Sequence, residues 1–211
     1  YAQERLEKSK EVEAAHRRHA QWHLGLARTA KPHLWGHRFG SVEVADTRTW
    51  IARVDRELEN WKQAATWSRE TGERGLLIEL AALLGAFWYL RGYWTEGRAF
   101  QGAARLASSP DVDPVRWAAA SLWDGHLALH QGDLEGAESA YRSALEASRS
   151  SGHPADIANA LRALGELHQY RGRYDESLAF HRESLQFAGK AEDATLIAAA
   201  SSGIASVLFA Q

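Results

Sequence analysis

The stretch Leu161-Arg162-Ala163-Leu164-Gly165-Glu166-Leu167-His168-Gln169-Tyr170-Arg171-Gly172-Arg173-Tyr174 decides the fold. Leu161, Leu164 and Leu167 recur at helical spacing across 158–171, so one face of a helix is apolar. Gly172 follows as a left-handed residue just past the helix end, a conformation that glycine takes without steric cost. A second helix is then expected over about 174–188, with Leu178 and Leu185 inside it beside the small Ser177 and Ser184. Two helices and a tight turn make one unit. Gly165 falls in the middle of the first helix, where glycine costs about 0.5–1 kcal/mol relative to alanine. Such a cost is tolerated where a partner helix comes too close for a side chain.

The same features return 40 residues apart. Gly85, Gly125 and Gly165 form one series, which Ala205 continues, and Gly92, Gly132 and Gly172 form another. Trp94, Leu134 and Tyr174 stay in step, as do Gly97, Ala137 and Ser177, and then Ala104, Ala144 and Ser184. One period earlier, Trp61 aligns with Gln101 and Ala64 with Ala104. Several series in one register are a repeat, not a coincidence. Between units, Asp113-Pro114 supplies a helix N-cap and a first-turn proline, and Gly152-His153-Pro154 stops one helix and starts the next. The expected fold class is therefore all-α, a superhelix of stacked antiparallel helix hairpins with a period of about 40 residues.

These residues carry a resemblance. Leu161, Leu164-Gly165, His168, Gly172, Tyr174, Ser177, His181 and Ser184 resemble the tetratricopeptide pattern. Gly125, Ala128, Gly132, Ala137, Tyr141 and Ala144 resemble it one unit earlier. The departures are His168 and His181 at the two usual aromatic positions, Asp124 where Leu is usual, and a period of 40 instead of about 34. The longer period is similar to the extended repeats of bacterial regulators. This resemblance covers residues 51–211 and implies a fold, with little said about chemistry.

A second resemblance concerns context. Trp50-Ile51-Ala52-Arg53-Val54-Asp55-Arg56-Glu57-Leu58-Glu59-Asn60-Trp61-Lys62-Gln63-Ala64, followed by Trp67, looks like a recurring segment of multidomain bacterial regulators. So do Phe87-Trp88-Tyr89-Leu90-Arg91-Gly92-Tyr93-Trp94-Thr95-Glu96-Gly97-Arg98 and, upstream, Arg18-His19, Leu24, Leu26-Ala27 and Leu34-Trp35-Gly36. The family is the signal-transduction ATPases related to AfsR-type and LuxR-type transcription regulators. In these, a nucleotide-switch domain and a winged helix precede a helical repeat sensor. The resemblance implies that residues 1–10 are the tail of a winged-helix domain, 11–50 connecting helices, and 51–211 tetratricopeptide-like repeats cut off at the C-terminus. No phosphate loop of the Gly-x4-Gly-Lys-Ser/Thr kind occurs in the chain. Any ATPase of such a parent would lie elsewhere.

Composition bounds the function. The 211 residues are 45% apolar and 25% charged, which fits a globular protein and not a disordered tail. A chain of this length removes about 70% of its unfolded surface from water, so it needs no metal or disulfide staple. Net charge is −2, giving no whole-chain attraction to nucleic acid or anionic membrane. Residues 1–40 alone carry +4, which reads as a basic docking face or an ordinary solvated helix face. Cysteine is absent, excluding thiol catalysis and zinc-thiolate sites. No run approaches 18 apolar residues. The expected setting is the cytoplasm, without a membrane partner and without direct nucleic-acid binding.

Candidate chemistry rests on few groups. His16, His19 and His23 share a helix face, with His33 and His37 following, but no HExxH-type motif accompanies them, so no metal is expected. The nine tryptophans sit mostly among Leu and Ala at helical spacing, which reads as core, with Trp117 and Trp123 flanking their apolar stripe. No Ser-His-Asp context, nucleophile elbow or paired-acid cleft stands out, so the chain reads as non-catalytic, and no cofactor is expected. The best site is the helix face opposite the close-packing glycines. His126 and His130 lie there, with Asn159, Arg162, Glu166, Gln169 and Tyr170 in the next unit and Glu79, Ala82 and Tyr89 in the unit before. A packed interior does not readily accept such a row of polar groups. The expectation is a solvated concave groove, with His126 beside Glu166 and His130 beside Tyr170. It would bind a protein or peptide segment, or a polar small-molecule effector, and would contact other domains of a parent regulator. The alternative is a constitutive oligomerisation or docking scaffold without an effector.

Overall fold

The structure, a computed structural model, describes residues 10–35, 44–109 and 113–211. The expectation for residues 1–10 lies outside these, apart from Lys10, and so does that for His37. Among the described residues ten helices follow one another without a strand. They are α1 (Lys10–Trp35), α2 (Val44–Arg56), α3 (Leu58–Glu70), α4 (Arg74–Arg91), α5 (Trp94–Ala107), α6 (Pro114–His130), α7 (Leu134–Ser151), α8 (Pro154–Tyr170), α9 (Tyr174–Lys190) and α10 (Ala194–Ala210). The fold is a tetratricopeptide-like α-α superhelix, as the period implied. The first helices α4, α6, α8 and α10 stack in succession, and each second helix packs on its partner and on the next first helix. The described part of 11–50 belongs to this stack: α1 packs along α3 and α4, and α2 packs on α1.

Helix ends follow from local chemistry. Asp113 accepts the Arg116 amide at 2.9 Å, and Pro114 opens α6. Gly92, Gly132 and Gly172 take φ of 71°, 77° and 70°. At each, the next residue donates its backbone N–H back across the turn: Tyr93 to Trp88, Asp133 to Ala128, Arg173 to His168. Gly72 and Gly152 take the same left-handed conformation between hairpins, at φ of 75° and 72°, and Glu192 occupies the corresponding place before α10 with φ of 53°.

Packing repeats with the same register. Trp61, Gln101, Tyr141 and His181 are all 0% exposed, so one core slot is filled four times by different side chains. A Cβ on Gly125 would strike the Tyr141 ring, and one on Gly165 would strike His181. Gly85 is instead covered by Trp123 from the next hairpin, because Gln101 in that slot turns to donate to the Ala81 carbonyl at 2.9 Å. In α10 the close approach falls at Gly203, again against His181, while Ala205 is exposed. The glycine series thus ends out of register. Ser177 and Ser184 donate to the Gly165 and Ala158 carbonyls at 2.7 and 2.8 Å, which permits polar groups in the core. Asp124, where Leu is usual in the repeat, is held by Arg105 at 2.6 Å and Arg98 at 3.6 Å. Trp22 departs from the core reading of the tryptophans, at 58% exposed.

A polar stitch joins successive hairpins. Arg91 reaches Asp55, Gln131 reaches Thr95, Arg171 reaches Glu135 and Gln211 reaches Asp175, at 3.0, 2.9, 2.7 and 3.5 Å. Each links the C-terminal end of a first helix to the previous unit. Exposed pairs of this kind contribute about 0–1 kcal/mol apiece, so they set register more than stability.

Candidate functional site

The first helices stack in register, so positions 40 apart lie side by side on one face. Glu79, Ala119 and Asn159 form one layer, Ala82, Leu122 and Arg162 the next, then Leu83 with Trp123, and Ala86 with His126. All of these line a single cavity of about 600 Å³. Asp113 and Arg116 line its end near the start of α6, with Asp156 from α8. Ala144 and Ser148 come from α7, and Lys31 reaches in from α1. The middle is apolar and the ends are charged. That is the usual composition of a small-molecule pocket, and the volume is in the usual range of about 300–1,000 Å³.

The charges are mostly neutralised in place. Glu79, 8% exposed, takes Arg28 of α1 at 2.7 and 3.0 Å and Arg116 at 3.1 Å. Arg116 also pairs with Asp113. Burial pushes the Asp156 carboxyl above its ordinary range, opposed by His153 and Lys31. Arg162, 7% exposed, pairs with Glu166 one turn on. Both act on the Tyr141 hydroxyl, whose pKa burial raises strongly. That hydroxyl is hydrogen-bonded to His126 Nδ1 at 2.9 Å.

The seven residues expected to share a groove divide. His126, Asn159 and Arg162 line the cavity, as do Glu79 and Ala82, whereas His130, Glu166, Gln169 and Tyr170 are not in its lining. His126 and Arg162 are buried, at 8% and 7% exposed, where solvation was expected. The Tyr141 ring lying over Gly125 covers one, and the helical ion pair to Glu166 draws in the other. His126 also stacks edge-on to Tyr89 and Trp123. His130 packs against Tyr89, bonding its hydroxyl at 3.0 Å, and against Trp94. Gln169 donates to Ser206 of α10 at 2.8 Å, and Tyr170 is 73% exposed. Lys31, Arg116, Trp123 and Asp156 were missed. Arg116 and Asp156 are in register one turn before Ala119 and Asn159, so the period could have found them. Lys31 left no such signal.

His23 is held within the α1 packing. His23 Nδ1 bonds the His19 carbonyl at 2.9 Å and Nε2 faces Glu57 at 3.4 Å. Burial and the neighbouring His23 lower the pKa of His19. Among the described residues no three His, Cys, Asp or Glu side chains converge as metal ligands. His168 and His181 are 4% and 0% exposed, with neither ring nitrogen hydrogen-bonded, and burial lowers the pKa of both.

This arrangement defines a class: a tetratricopeptide-like helical repeat region, with residues 118–190 matching the tetratricopeptide repeat family. Such folds are typically non-catalytic and mediate protein interactions. A solved crystal structure of BtubC (BKLC) from P. vanneervenii is similar, with a TM-score of 0.61 at 17% identity, covering 89% of this chain and 80% of that one. At that identity the likeness is one of fold alone. Three curated relatives, from Mycobacterium bovis and two strains of Mycobacterium tuberculosis, are provisionally named HTH-type transcriptional regulators. Each is 28% identical over 172 residues, which is 78% of this chain and 18% of the relative. The chain therefore spans under a fifth of their length. Among the described residues no helix is long and apolar enough to cross a membrane.

Proposed function

We propose that the chain is a non-catalytic sensor module of a multidomain bacterial transcription regulator, and that an effector binds in the cavity of the first-helix face. The parent would be of the AfsR- and LuxR-related signal-transduction ATPase type, cytoplasmic, with its nucleotide chemistry and DNA contacts in other domains. The division into a winged-helix tail, connecting helices and repeats belongs to the same proposal. Support for the context comes from the regulator-like relatives and from the segments at residues 50–64 and 87–98. The observation that carries the binding role is the cavity of about 600 Å³ shared by three successive repeats.

The mechanism is differential affinity. An effector that prefers one arrangement of the stacked helices shifts the population toward it. Lys31 lines the cavity, and Arg28, also on α1, holds the wall residue Glu79. An occupant that repositions Glu79 thus acts on α1.

A docking scaffold without effector is the second reading, favoured by Trp22 of α1 and Leu106 of α5, which are 58% and 92% exposed. A thermal-shift screen of metabolites, run beside light scattering over a concentration series, separates the two. Sensor function gives a ligand-dependent rise in melting temperature that disappears in Ala119→Trp, whose indole projects into the middle of the cavity and obstructs it. Self-association with no ligand shift supports the scaffold.

A further inference from the structure

We infer that the cavity is built for a small amphipathic monocarboxylate, whose carboxylate is held by Arg162 and whose apolar body lies over Ala82, Leu122 and Trp123. This rests on the effector-binding reading above and names the chemistry of that same site.

The argument begins with Arg162. A guanidinium offers five N–H donors in a planar fork, matched to a carboxylate. Arg162 is 7% exposed and lines the cavity, yet among the described residues only Glu166 accepts from it, through Nη1. Burying a cation is costly unless its donors are satisfied. Among the described residues its other donors have no protein acceptor, and none of them is fully buried, so they are reached by solvent where Arg162 lines the cavity. The other charged groups of the wall differ. Glu79 has two guanidinium partners, and Asp113 has Arg116 and a backbone amide. Asp156 lies six residues before Arg162, about 9 Å along the helix. Lys31 acts there as its countercharge. An acceptor is thus wanted at the Arg162 end, beside the hydrogen-bonded His126 and Tyr141 pair.

The body follows from what lies next to Arg162. Ala82 and Leu122 share its layer, and Trp123 follows on α6. Small alanines beside an indole leave a slot for an aromatic ring or short alkyl chain. The volume, about 600 Å³, holds a small molecule and is bounded by α7 and α1.

Calorimetric titration of the chain with 4-phenylbutyrate, 4-phenylbutyramide and 4-phenylbutylamine varies only the headgroup, and decanoate with decanamide varies the body. The carboxylates should bind about tenfold or more tightly than their amides, as a charge-assisted pair implies. Arg162→Gln should bring carboxylate affinity down to that of the amide, with circular dichroism and melting temperature confirming a folded variant. The headgroup comparison in the unaltered chain does not depend on that variant. If the amine or amide binds as well as the carboxylate, and Ala119→Trp abolishes it, the carboxylate assignment is overturned while the effector site stands. If no probe of any headgroup binds in a way that Ala119→Trp abolishes, the carboxylate assignment falls, and the metabolite screen alone decides whether the effector site stands.

Discussion

The two halves of the array solve one packing problem with different chemistry. Around α1, α3 and α4 the core is aromatic, with Trp61, Phe87 and Trp88 buried among Leu80 and Leu84. Around α7, α8 and α9 the Trp61 slot holds Tyr141 and then His181, the Trp88 slot holds His168, and Ser177 and Ser184 are buried nearby; the tyrosine and the serines are hydrogen-bonded, the two histidines are not. A repeat fixes where the backbone must come close and where a side chain must fill space. It leaves the identity of the filler open.

The largest expected effect is at the aromatic end. Trp61→Ala should cost about 3–5 kcal/mol by denaturant titration, from lost burial and the cavity left behind. Gln101→Ala, in the equivalent slot, should cost clearly less. Equal losses would break the contrast between the two kinds of filler. Next comes overpacking. Gly125→Ala should destabilise by about 1–3 kcal/mol, because the Tyr141 ring it would strike is tethered to His126. Gly165→Ala should cost less, since His181 has no hydrogen bond to give up. A reversed order in thermal melts would show that the tether does not matter.

The polar half should also be acid-sensitive, as His19 makes α1. Burial lowers the pKa of His168 and His181, so the folded chain keeps them neutral where the unfolded chain takes up protons. Stability from these sites is complete above their unfolded value of about 6.5 and is lost as pH falls below it. Melting temperature should therefore drop between pH 7.5 and 5.5. His181→Tyr should flatten that drop, with the register partner Glu166 accepting the new hydroxyl where His126 pairs with Tyr141 one repeat earlier. An unchanged slope assigns the effect elsewhere. The smallest expected change is a gain. Glu192 sits at φ of 53°, where the equivalent turns at 72 and 152 have glycine, so Glu192→Gly should stabilise by about 0.5–1 kcal/mol. Hydrogen exchange in α10 would report it, and faster exchange there would contradict it.

The sequence announced the backbone's needs more clearly than the site's. Glycine at positive φ and glycine under a neighbouring ring are demands that few other residues meet, so Gly92, Gly125, Gly165 and Gly172 stood out. The cavity was legible only where it followed the period, at Glu79, Ala82, His126, Asn159 and Arg162. Lys31 was not, because α1 joins the stack by tertiary packing outside the repeat. The burial of His126 and Arg162 was also hidden. It depends on the Tyr141 ring crossing from α7 and on an ion pair within α8, whereas helical spacing gives only the face on which a residue lies.

The stitches between hairpins bear on how the chain acquires its shape. Among the described residues, hydrogen bonds and ion pairs reach less than two repeats along the sequence, the widest joining Arg17 to Glu73. Contacts so local favour rapid folding, and each hairpin emerging from a ribosome finds its neighbour already formed. The cavity is the exception, since its wall brings Lys31 to Asp156. A nascent chain ending after α7 would hold ordered hairpins with no binding site, and the docking of α8 is the step at which the site comes into being.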